Sequence, residues 1–86
     1  MDFIFTQRFK KSYKQLSKDE QKTLRKKLEL MGENPHHPSL RTKKVQGTGA
    51  IFECSINMSV RLTWQYEGES ILLRAVGNHD DVLKKP

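Results

Sequence analysis

The chain has 86 residues, with 16 Lys and Arg against 10 Asp and Glu, a formal net charge of +6. That length allows one small domain, 1–86, which buries only roughly 60 to 65% of the surface its unfolded chain exposes and excludes large enzymes with a separate cofactor domain. No apolar run exceeds three residues, as in Ile71-Leu72-Leu73, far short of the ~18 that cross a bilayer, Met1-Asp2-Phe3 is not the charged start of a signal peptide, and the lone Cys54 builds neither a disulfide framework nor a zinc ribbon. A soluble, unprocessed, cytoplasmic protein is therefore expected, of a size at which a partner contributes to stability.

In chain order, Phe3-Ile4-Phe5 within Met1 to Phe5 reads as a short buried strand, and Thr6 offers the cap of a helix. Phe9, Tyr13 and Leu16 recur at i, i+4 and i+7, so a helix running to about Leu16 has them on one face and most of its lysines on the other. Ser17-Lys18-Asp19-Glu20 is a capping box that starts a second helix at once, with Leu24, Leu28 and Met31 at the same spacing. Gly32 and Asn34-Pro35 are expected to stop it, leaving a helical hairpin with one apolar seam.

After a loop from Asn34 to Arg41 the period changes to two. Lys43 to Gln46 reads as a strand before the Gly47-Thr48-Gly49 turn. Phe52, Cys54 and Ile56 alternate with polar residues, as do Val60, Leu62, Trp64 and Tyr66. Glu67-Gly68-Glu69 is a tight turn joining Val60 to Tyr66 with Ser70 to Val76 in a hairpin. His79 to Leu83 forms one last helical turn, for which Asp80 and Asp81 could act as caps. The fold class is α+β: an N-terminal strand and a helical hairpin packed on a twisted antiparallel sheet of three to four further strands. With two main helices, one sheet face rests on the hairpin and the other is expected to stay open or to bind something.

Charge is divided unevenly. Twelve of the basic residues and five of the acidic ones fall in residues 1 to 50, against four and five in the remainder. Such a field attracts polyanions, nucleic acid foremost. There is no metal-ligand spacing, phosphate-cradling glycine loop or nucleophile elbow. His36 and His37 read as solvated loop residues, and Cys54 and Trp64 as core. Chemistry is left to the basic and hydrogen-bonding side chains near the sheet: Arg61, Gln65, Arg74 and His79, with Lys43 and Lys44.

Four segments carry a resemblance over nearly the whole chain: Phe3-Ile4-Phe5-Thr6 to Phe9, Pro38-Ser39-Leu40 with Lys44-Val45-Gln46-Gly47, Val60-Arg61-Leu62-Thr63-Trp64-Gln65-Tyr66, and Leu72-Leu73-Arg74-Ala75-Val76-Gly77-Asn78-His79-Asp80. The sequence resembles the RelE/ParE superfamily of bacterial toxins from type II toxin-antitoxin systems. The resemblance implies a helical hairpin on a twisted antiparallel sheet, and a cognate antitoxin as partner. RelE-like members are ribosome-dependent, metal-independent mRNA endonucleases (mRNA interferases) that inhibit translation; ParE-like members share the fold but poison DNA gyrase. The Gly77-Asn78-His79 ending is similar to that of RelE- and YafQ-type nucleases and favours the nuclease branch, with ribosomal RNA and mRNA as partners and no cofactor. On that reading the catalytic set is Arg61, which stabilises the transition state, His79, an acid or base, and Arg74. Lys43, Lys44, Gln65, Lys10 and Lys14 bind RNA, and Lys43, Lys44 and Arg74 either hold the backbone or supplement the catalytic charge. The strand Glu53-Cys54-Ser55-Ile56-Asn57 departs from the pattern, since several RelE-like nucleases place lysine or arginine on its outer side. Those cations are then missing or supplied by Lys43 and Lys44, and the general base stays open, with Glu53 one candidate.

Overall fold

The computed structural model describes all residues from Met1 to Pro86. It contains strand β1 (Phe3–Phe5), helices α1 (Gln7–Gln15) and α2 (Lys18–Glu33), a 3-10 turn (Pro38–Leu40), strands β2 (Lys43–Lys44), β3 (Phe52–Ser55), β4 (Val60–Glu67) and β5 (Ser70–Asn78), and helix α3 (His79–Lys84). One five-stranded sheet has the order β1-β5-β4-β3-β2; β1 runs parallel to β5 and every other pair is antiparallel.

Local chemistry sets the helix starts. Thr6 Oγ1 accepts from the Phe9 amide at 3.0 Å and donates to the Leu73 carbonyl at 2.7 Å, so one side chain both caps α1 and docks it on β5. The Ser17 capping box is complete: the hydroxyl accepts from the Glu20 amide and the Glu20 carboxylate accepts from the Ser17 amide. Gly32 does not end α2, which continues to Glu33. There, Asn34 closes it, and its side-chain oxygen accepts from the His36 amide.

The helical hairpin covers one sheet face. Phe9, Leu16, Leu24 and Met31 meet Cys54, Leu62, Trp64, Ile71, Leu73 and Val76, all buried. Phe52 stacks on Trp64 with ring centroids 4.7 Å apart. Burial of each large apolar side chain contributes about 1.5–3 kcal/mol, which a domain of this size needs from nearly every seam residue.

A bulge adjusts the sheet to this core. Thr63 pairs with Ala75 but Trp64 pairs with Leu73, leaving Arg74 without a partner on β4. Leu73 and Val76 consequently share the core face although they are three residues apart. Beyond Leu73 the outer edge of β5 has no strand beside it, and α1 supplies the missing acceptor: Ser12 Oγ takes the Val76 amide at 3.1 Å.

Three expectations need correction. β1 is not buried; it is an edge strand, with Ile4 and Phe5 39% and 48% exposed. The strand expected at Lys43 to Gln46 is only two residues long, because the Val45 carbonyl accepts from Thr48 Oγ1 at 2.7 Å and turns the chain. The second sheet face is not open at its centre. α3 lies across β4 and β5 with Val82 buried, and Gly77, lacking a side chain, admits it: a Cβ there would stand 3.4 Å from Val82 Cγ2. Asn78 caps α3, its side chain accepting from the Asp80 amide.

Candidate functional site

Arg61, through its side chain, and His79, through its backbone, both engage the loop that joins β3 to β4 at one end of the sheet. The His79 amide donates to the Ser59 carbonyl at 2.8 Å. Arg61 Nη1 donates to the carbonyls of Asn57 at 2.7 Å and Met58 at 3.2 Å. Asn57 Oδ1 accepts from the amides of Ser59 and Val60, both at 2.8 Å, so the loop is closed on itself and held from two sides. Arg61 Nε and Nη2 keep no protein acceptor, and the guanidinium retains donors for a bidentate anion contact.

His79 opens α3 with its side chain 44% exposed, and its Nδ1 lies 3.0 Å from Asp80 Oδ1. Donation from Nδ1 to that carboxylate leaves Nε2 without a protein partner.

Arg61 also borders a cleft of about 420 Å³ that Lys27, Ser39, Arg41, Ser55 and Asn57 line with it. No carboxylate faces this cleft. Lys27 Nζ donates to the Ser39 carbonyl at 3.2 Å, which holds the α2 lysine over the 3-10 turn. Arg41 ends that turn in the left-handed region, with φ 50° and ψ 46°, and is the only non-glycine residue of positive φ in the chain. Sequence reasoning missed Lys27 and Arg41: one looked like any helix-surface lysine, and nothing in the local pattern announced the left-handed turn that sets the other beside it.

The remaining expected site residues lie elsewhere. Arg74, thrown out by the bulge, donates from Nη1 to Gln65 Oε1 and from Nε to the Pro86 carbonyl, which also accepts from Thr63 Oγ1; Arg74 and Gln65 are thus engaged with each other and with the segment after α3. Lys43 pairs across the ladder with Glu53. Lys43, Lys44 and Glu53 border a separate cleft of about 360 Å³ closed on one side by Leu83, with Glu53 itself buried. Lys10 and Lys14 sit with Lys11 and Arg25 around a groove of about 630 Å³ floored by Phe5, Phe9, Tyr13 and Leu28. Arg25 donates to Tyr13 Oη at 2.7 Å across it.

Among the residues read as core, Cys54 is fully buried, and desolvation pushes its thiol up to about 12 despite the opposing charges of Lys27 and Arg61. Trp64 is core as well, although its indole N–H has no acceptor. His36 is exposed but not free: its Nε2 lies 3.0 Å from Tyr66 Oη, and its ring packs edge-on against Phe52 and Trp64.

No family model and no curated sequence matches the chain. Solved structures do. YafQ from E. coli strain BL21(DE3) superposes with a TM-score of 0.79 at 14% identity, covering 94% of this chain and 96% of that one. The YoeB dimer of Staphylococcus aureus gives 0.78 at 18%, covering 92% and 97%. A metal-bound toxin from Helicobacter pylori gives 0.78 at 23%, covering 95% and 98%. At these identities the likeness is one of fold, and this chain has the fold of the RelE- and YafQ-type toxin structures.

Proposed function

We propose that this chain is the toxin component of a type II toxin-antitoxin pair and cleaves mRNA on the ribosome without a metal ion, thereby inhibiting translation. The observation that carries this reading is the placement of Arg61 and His79 on the two sides of one braced loop. Cleavage of RNA by its own 2′-hydroxyl requires a proton to leave that hydroxyl, a new bond from the 2′-oxygen to phosphorus, and rupture of the bond to the 5′-oxygen, which takes up a proton. The products are a 2′,3′-cyclic phosphate and a 5′-hydroxyl. His79 Nε2 exchanges the proton with the reacting oxygen, Asp80 orients the ring, and the free donors of Arg61 bind the phosphoryl oxygens as negative charge accumulates on them. Arg74 is a positioning residue that, bonded to Gln65 and to the Pro86 carbonyl after α3, fixes the far end of the helix from whose start His79 projects. Lys43 and Lys44 on the β2 edge contact the RNA backbone, and Glu53 beside them is buried in a different cleft from the one at Arg61.

The partner side of the proposal rests on the groove between α1 and α2. An apolar floor with four cations at its rim and no carboxylate suits an acidic amphipathic helix of an antitoxin. Lys10 and Lys14 add in the same place to the positive field that meets ribosomal RNA. One known complex, DinJ-YafQ of E. coli, pairs an antitoxin with a toxin of this fold.

The test is a reconstituted translation reaction with purified ribosomes. Wild-type protein is expected to cut a translated message, and His79→Ala is expected to leave it whole. Intact message with wild-type protein, accompanied by inhibition of purified gyrase, would replace this reading with the ParE-type one.

A further inference from the structure

We propose that Lys27 and Arg41 form with Arg61 a second phosphate-binding subsite, which grips a phosphodiester of single-stranded RNA next to the one that is cleaved. This inference rests on the nuclease reading above and adds to it two residues that do no proton chemistry. The cleft holds about 420 Å³, within the roughly 300–1,000 Å³ of small-ligand sites, and three cations face it without one carboxylate. Like charges brought together around a concavity repel one another unless an anion sits between them, and here the chain gives each a fixed mooring. Lys27 is held by the Ser39 carbonyl and Arg61 by the Asn57 and Met58 carbonyls. Arg41 is set by the left-handed conformation in which it closes the 3-10 turn, its amide donating to the Pro38 carbonyl.

Two further observations bring the same side chains into one field. Lys27 and Arg61 both act on the Cys54 thiol, from α2 on one side and β4 on the other. Arg61 is shared between the cleft and the β3–β4 loop, whose Ser59 carbonyl accepts from the His79 amide, so an anion in the cleft lies beside the proposed reaction centre rather than on a remote surface. The Asn57 side chain stiffens that loop, and the subsite is formed before RNA arrives.

The probe is a trinucleotide of single-stranded RNA carrying 2′-O-methyl groups, which cannot be cleaved, titrated into the isotope-labelled chain and followed by amide resonances. Saturable shifts are expected at Ser39, Arg41, Asn57 and Ser59. The Lys27→Gln/Arg41→Gln double variant is expected to weaken them strongly and to lower the slope of log affinity against log salt by about 0.7, the contribution of the one phosphate held there on a single strand. Lys22→Gln/Lys26→Gln, which removes two α2 cations outside the cleft, is the comparison and is expected to leave the saturable shifts in place. Shifts confined to α1, no saturation up to 10 mM (about 10⁻² M, well above the ~10⁻⁴–10⁻⁶ M range of non-specific nucleic-acid binding), or equal losses in the two double variants would overturn the subsite. Binding is read without turnover, so a nuclease whose cleft stays silent sinks this inference alone, while a cleft that binds in a protein that cuts no message sinks the nuclease reading alone.

Discussion

Arg61 stands directly opposite Gly77 in the β4–β5 ladder, and His79 follows two residues later with its amide bonded to the Ser59 carbonyl. Gly77, lacking a side chain, leaves room for Val82 of α3, and the start of that helix sets His79 against the loop that the Arg61 guanidinium braces. From this relationship His79→Ala is expected to lower ribosome-dependent cleavage by about 10² to 10⁴, the usual contribution of a positioned acid or base. Arg61→Lys keeps the charge and loses the planar fork, and a fall on the order of 10² is expected. Melting curves of both variants should stay close to wild type; a folded Arg61→Lys protein of full activity would remove Arg61 from the proposed chemistry.

Ser12 completes the hydrogen bonding of β5 past the point where β1 ends. Ser12→Ala leaves the Val76 amide buried with no acceptor, a loss of about 1–3 kcal/mol. For a domain of this length each kcal/mol is worth about 4–8 °C in Tm. A lower urea midpoint with an unchanged slope is the expected readout, and an unchanged midpoint would mean that the edge is satisfied in another way.

The Cys54 thiol, raised from 9.0 to about 12, stays protonated in the fold while the unfolded chain ionises near 9. An acid with a raised folded value contributes its stability fully below the unfolded value and loses it as pH rises toward the folded one. Wild type is therefore expected to lose stability relative to Cys54→Ala between pH 9 and 12, by about 1.4 kcal/mol per pH unit at most. Alkylation of native protein at pH 8 should be slow and should become fast in denaturant; rapid modification of the folded chain would contradict the burial.

Much of the fold is legible in the sequence because it is local. Thr6, the Ser17–Glu20 box, the seam at Leu24 and Met31, and the Gly68 turn each act within a few residues, and the structure has all of them. What is hidden depends on distant partners. The parallel docking of β1 on β5 follows from where the chain returns, the bulge at Arg74 looks in sequence like ordinary alternation, and α3 covers a face that composition suggested would be free. The site divides in the same way. Arg61 and His79 stand in segments with a distinctive pattern, whereas Lys27 and Arg41 meet only because a helix and a left-handed turn converge over the edge of β3.

The groove between α1 and α2 predicts a large stabilisation by an acidic partner encoded beside this chain. At a free partner concentration a hundred times Kd, linkage adds about 2.7 kcal/mol, or roughly 10–20 °C in Tm. Lys14→Glu with Arg25→Glu should reduce that shift in calorimetry by reversing the rim charge. Equal melting temperatures for the free chain and the saturated mixture would count against the partner surface.

The central claim, cleavage of translated mRNA, is tested most directly by primer extension on cellular messages after brief induction. The account predicts new 5′ ends inside the codons of translated messages, absent when translation is blocked and absent with His79→Ala. Full-length messages in growth-arrested cells with stalled replication would contradict it.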